Sequence, residues 1–141
     1  MGSQGFVVAL HVCPGHRKPM QQRSLVRAIA GRGLEGDLHA LPESPRQVLL
    51  IESETLAEFQ LSAGVVKENI TTRQIELMTL PRFQRLRVGT VVLELTGPCA
   101  PCRRMDEISP GLQEQLRGRR GVLARVIEGG EIYINDPIVV V

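Results

Sequence analysis

Short apolar runs rich in Val, Ile and Leu, each closed by Gly or Pro within a few residues, recur along this chain. Such runs are too short for buried helices, and their β-branched residues suit a pleated backbone, so the pattern demands many short strands. Strands are expected over residues 5–13, 25–30, 47–51, 90–96, 122–127, 131–134 and 138–141, with 75–77 as a further candidate. The stretch Glu128-Gly129-Gly130-Glu131-Ile132 reads as a hairpin turn, because both glycines can take positive φ. Two short helices are expected. Ser53 can cap one that runs to Leu61, with Leu56 and Phe59 on one face and Gly64 beyond its end. Ser109 followed by Pro110 caps the other, Leu112 and Leu116 share its face, and Gly118 ends it. With no linker and no repeat, these elements predict a mainly β fold, one β-barrel-like domain over residues 1–141 with short peripheral helices. An open α+β sheet is the alternative.

A chain of 141 residues is long enough to bury a core without metal or disulfide staples. The net charge of +2 does not call for nucleic acid, and 3% aromatic residues cannot build a base-stacking platform. An odd number of cysteines and an opening apolar run of only residues 6–10 point away from a secreted disulfide framework and a membrane span. Phe6 stands where N-myristoylation wants Ser or Thr. A cytoplasmic protein with neither membrane nor nucleic acid as partner is expected.

Gly31–Gly36, "GRGLEG", has the spacing of a dinucleotide loop, but the prolines of the following "DLHALPESP" argue against the helix whose N-terminus would hold a pyrophosphate. A tight loop that aims Asp37 and His39 is the better reading. "CPGH" (Cys13, His16) and "CAPC" (Cys99, Cys102) together form a three-Cys, one-His set that tetrahedral zinc would accept. A redox dithiol at Cys99 and Cys102 would want a surrounding βαβ unit, which the pattern lacks. The third reading is one activated thiolate. Arg103 and Arg104 directly follow Cys102 and would favour its charged form. Arg119 and Arg120 in a glycine-rich stretch, Arg46, and Lys67, Asn69 and Arg73 in "KENITTR" supply further donors for an anion. Adjacent residues on an extended segment face opposite ways, so one arginine of each pair is expected to face the pocket.

The segments "AGRGLEGDLHA", "RQVLLIESETL", "KENITT", "LRVGTVVLELTGPCAPCRRMDEI" and "GRRGVLARVIEGGEIYINDPI" resemble, in the same order, those of stand-alone MOSC domains, which are similar to the C-terminal domain of molybdenum cofactor sulfurases. The resemblance implies a β-barrel-type fold and binding of the molybdenum cofactor (molybdopterin), a pterin dithiolene with a phosphate. It assigns to Cys102, after a proline and just before a short helix, the thiolate that ligates molybdenum or carries sulfur to it. Asp37, His39, Arg46, Lys67, Asn69, Arg73, Arg103, Arg104, Arg119 and Arg120 are then the expected cofactor-binding set, and Cys99 is dispensable. "CPGH" falls where relatives have an ordinary turn. Thr90 stands where many relatives carry Asp, and Asn135 where Gly is usual; both lie in turns. Two activities follow from the resemblance. One is reduction of N-hydroxylated compounds with an external electron-donor reductase, since no flavin or iron–sulfur motif is present. The other is a cofactor or persulfide carrier that serves a molybdoenzyme acceptor.

Overall fold

The computed structural model describes residues 3–141; Met1 and Gly2, which begin the expected domain and the opening segment, lie outside them. Seven strands close into a barrel: β1 (Ser3–Val12), β5 (Val48–Glu52), β6 (Ile70–Ile75), β7 (Arg85–Val88), β8 (Val91–Pro98), β9 (Val122–Glu128) and β11 (Pro137–Val140). Their order around the wall is β11-β7-β8-β9-β5-β6-β1, and β1 returns to β11. Neighbours are antiparallel except β5 and β6, which run parallel. The length of β1 lets it do two jobs on one edge. Gln4–Phe6 pair with β11, and Leu10–Val12 pair with β2 (Gln21–Arg23). A second sheet of β10 (Gly130–Tyr133), β3 (Leu25–Ile29) and β4 (Gly33–Leu34) packs its Ile132, Val26 and Leu34 into the same core.

Period-two burial explains the wall. In β7, Leu86 and Val88 are buried between exposed Arg85 and Arg87, and β3 alternates in the same way. Val48, Leu50, Val122 and Ala124 belong to the barrel core. Leu49 and Leu123 alternate with them and therefore stand on the wall's outer face, where they meet Cys99. Three short helices lie over that face: α1 (Ser53–Glu58), α2 (Met105–Ile108) and α3 (Leu112–Gln115). Leu56, Met105, Leu112 and Leu116 bury themselves against Ile51 and Val66.

Several expectations need correction. Gly129 and Gly130 do not turn a hairpin, because β10 pairs with β3 and not with β9. The two glycines carry the chain from the barrel to the second sheet, and a Cβ at Gly129 would meet the Ala28 carbonyl oxygen at 2.6 Å. Ser53 is the first helical residue of α1, behind Glu52, and makes no cap bond. Ser109 is likewise no side-chain cap: α3 starts after Gly111, and α2 precedes it. Residues 75–77 end β6 and begin a single 3-10 turn, Leu77–Thr79. β2, β4, β7 and most of β6 were not foreseen. Asn135, at φ 74°, holds the left-handed conformation that a glycine would take there.

Candidate functional site

The strand register fixes where a site can form. Pro98, Val122, Leu50, Ile70 and Leu10 are successive partners across β8, β9, β5, β6 and β1. One residue from this row lie Cys99, Leu123, Leu49 and Asn69, all lining one cavity of about 470 Å³ over the outer wall. The loop after β1 adds Cys13, His16, Arg17 and Lys18, and the segment into α2 adds Cys102, Arg104 and Met105. A register shift in β8 between Leu95 and Gly97 precedes the turn that delivers the two thiols. The cavity is basic. Six Lys or Arg residues line it against a single acid, Glu107.

Arg120 is the most constrained of these cations. It is 5% exposed, and one guanidinium nitrogen, Nη2, donates to the carbonyl of Val66. Its Nε and Nη1 are buried without a partner. Burial pulls its pKa down from the ordinary guanidinium value, opposed by the nearby sulfurs of Cys99 and Cys102 and the carboxylate of Glu68. Two buried charged donors without a protein partner leave an unmet demand for negative charge beside the cavity that Arg120 lines. Gly121 sets this geometry. At φ 105° a side chain there would strike the Leu50 carbonyl, and its own carbonyl accepts from Cys99 N at 2.9 Å.

Of each adjacent arginine pair, one member lines the cavity. Arg120 and Arg104 do; Arg119 and Arg103 do not. Arg119 instead forms a two-pronged ion pair with Glu58, at 2.6 and 2.8 Å, over the Phe59 ring. Arg73 stacks on Phe6, 4.6 Å from the ring centroid, and is also away from the cavity. His39, Arg46, Lys67 and Asn69 line it. Asn69 has little left to give a ligand, since its amide holds Leu49 N, the His11 carbonyl and Asp37. Asp37 lies behind the lining. Its carboxylate accepts from Cys13 N (2.7 Å), Asn69 Nδ2 (3.0 Å) and His39 N (3.1 Å), which ties the three cavity segments together. It is a positioning residue by geometry. Glu68, fully buried, does similar work for the 64–69 loop by accepting from Gly64 N and Thr71 Oγ1. Gln47 pins the 31–46 loop that presents Arg46, bonding Gly31, Leu41 and Val126 N.

The thiols differ. Cys102 is exposed, whereas Cys99 is buried with Leu49 and Leu123. Cys13 turns its sulfur to the Gly15 carbonyl at 3.2 Å. Although Cys13, His16, Cys99 and Cys102 share the cavity, no three His, Cys, Asp or Glu side chains among the described residues converge as a metal-ligating set. The zinc clamp expected as an alternative is therefore not formed. The Gly31–Gly36 loop leads into turns and not a helix, so no helix N-terminus waits there for a pyrophosphate. Arg17 and Lys18 were missed as lining residues. Their only signal was position beside "CPGH", and a loop's fold over a distant wall is not written in local pattern.

Solved structures share this architecture. The chain superposes on the YuaD protein from Bacillus subtilis with a TM-score of 0.79 at 17% identity, covering 96% of this chain and 94% of that one. YiiM from Escherichia coli gives 0.74 at 20% identity, over 97% of this chain and 69% of that one. YiiM from Geobacillus stearothermophilus gives 0.77 at 18% identity, over 97% and 75%. No curated protein sequence matches the chain. At such identities the likeness establishes the fold, a barrel with its helices on one outer face. The family model of the MOSC domain matches residues 36–139, a span that holds Asp37, Arg46, Cys102 and Arg120, and the chain belongs to that family, which is linked to molybdenum cofactor binding.

Proposed function

We propose that the cavity binds the molybdenum cofactor and that the bound protein supports reduction of N-hydroxylated compounds. The observation that carries this reading is the pairing of an exposed thiol, Cys102, with the two unused donors of buried Arg120 on one cavity. The residues fit the group. A soft thiolate suits molybdenum, and a guanidinium fork suits a phosphate. Cys102 would hold the metal end, Arg120 the phosphate end, and Arg46, Lys67 and Arg104 would neutralise charge around them. His39 lines the cavity with its Nδ1 3.7 Å from Asp37 Oδ2, and its backbone N–H donates to the same carboxylate oxygen. Cofactor-binding roles for Arg73, Arg103 and Arg119 have no support from their positions.

Bound there, the cofactor would supply two-electron redox chemistry, with electrons delivered by a separate reductase. The reading takes residues 1–141 as one domain working in the cytoplasm; among the described residues no helix is long and apolar enough to cross a membrane. The exposure of Cys102 favours a second reading, in which the thiol carries the cofactor or a persulfide to a molybdoenzyme acceptor. Turnover separates the two. Protein from a cofactor-making host, supplied with a chemical reductant and a hydroxylamine, should form the amine in a Cys102-dependent manner. Retention of molybdenum with no turnover would leave the carrier reading in place of the reductase.

A further inference from the structure

We infer that the cavity takes a small organic polyanion with two separated anionic groups, one at Arg120 in the wall and the second on a rim built by Arg17, Lys18 and Lys67. This deepens the anion reading of Arg120 given above and rests on it. The rim is a built feature. The loop after β1 is clamped at its base, where Cys13 N donates to Asp37 and the Cys13 carbonyl accepts from Leu38 N at 2.7 Å. Its far side is fixed by Lys67 Nζ, which donates to the Lys18 carbonyl at 3.2 Å. Two of the three cations occupy the left-handed region, Arg17 at φ 59° and Lys67 at φ 70°. A glycine would sit there without steric cost, yet long basic side chains do so on both sides of the rim. All three line the same cavity as Arg120, and Glu107 is the one acid among its lining residues.

A ligand with one anionic group would be served by Arg120 alone. Arg17, Lys18 and Lys67, all exposed on the same cavity, would then be left to solvent, whereas a second anionic group would engage them too. The chemical class that fits is a compound bearing a second phosphate or carboxylate besides its inner phosphate, such as a diphosphate ester.

Orthophosphate, pyrophosphate and tripolyphosphate serve as probes, titrated calorimetrically into the full chain at fixed ionic strength. The rim variant Arg17→Gln/Lys18→Gln, at exposed positions, should weaken tripolyphosphate by about tenfold or more while leaving orthophosphate within about twofold. Lys67→Gln should act in the same direction. Arg120→Gln, or Arg120→Lys should the former not fold, should weaken all three probes. Orthophosphate binding that depends on Arg120, together with tripolyphosphate binding indifferent to the rim variant, would overturn the two-anchor inference and leave the inner site standing. Equal losses for every probe in the rim variant would also overturn it, since that is diffuse charge and not a subsite. Orthophosphate binding indifferent to Arg120, or no binding of any probe, would remove the inner anchor and both readings with it.

Discussion

Removing a guanidinium from water costs several kcal/mol unless hydrogen bonds and counter-charge replace the solvent, and Arg120 has only one protein acceptor. That imbalance makes it the residue on which ligand binding should depend most. Arg120→Lys keeps the charge but loses the fork, and should weaken cofactor binding by about 1–3 kcal/mol. Arg119→Lys, at a surface ion pair, should leave binding unchanged; cofactor retention after gel filtration compares the two. Among the thiols, Cys102→Ser should abolish molybdenum retention while Cys99→Ser keeps it, because only Cys102 is exposed. Equal loss in both would point to a dithiol. At this scale the sequence was informative about residue type and poor about direction. "RGRRGV" announced an arginine for an anion, but both arginine pairs lie in turns and not on extended backbone, so the packing of those turns, and not period-two alternation, leaves Arg120 and Arg104 at the cavity. Asp37 was placed in the right neighbourhood, yet its carboxylate is consumed by backbone donors from loops that meet only after folding.

Elements were legible where burial and hydrophobicity coincide. β9 and β11 read correctly because apolar residues fill their inward positions, Val122, Ala124 and Val126 in one and Ile138 and Val140 in the other. β6 did not, since its buried residues include Thr71 and Thr72, and a strand that buries hydroxyls looks like a loop. The Gly129-Gly130 pair misled for a different reason: the same two residues that make a hairpin also let a strand leave one sheet for another. Two predictions belong here. Gly121→Ala should destabilise the fold by about 1–3 kcal/mol, through left-side φ and contact with Leu50, read as a fall in chemical-denaturation midpoint. The other concerns Glu94, which joins β7, β8 and β9 by bonding Arg85 (3.2 Å) and Arg125 (2.9 Å). Burial raises its pKa, but the hydrogen bonds from Arg125 and Arg85 prevail and hold it below the ordinary 4.5. A lowered folded pKa means stability that is complete above 4.5 and lost as pH falls through the lowered value. The Tm gap between wild type and Glu94→Gln should therefore close on acidification below about pH 4.5. A gap that widened there would reverse the sign.

For the whole molecule, closure is the organising fact. Seven strands joined edge to edge leave the wall's outer face free at β5, β8 and β9, and that is where the thiols, cations and helices collect. The barrel class followed from strand count and turn chemistry, but the site's position outside the wall required the register, which puts Leu49 and Leu123 opposite the core residues beside them. The molecule is read as a scaffold that presents one exposed sulfur and one buried guanidinium to a molybdenum cofactor. The most direct test is the molybdenum content of the wild-type chain and of Cys102→Ser, both purified from a host that makes the cofactor. The account predicts about one molybdenum per wild-type chain, with a phosphate-bearing pterin released on acid treatment, and little in the variant. A wild-type chain that emerges without molybdenum from a host whose own molybdoenzymes are charged, or that carries zinc in its place, would contradict it.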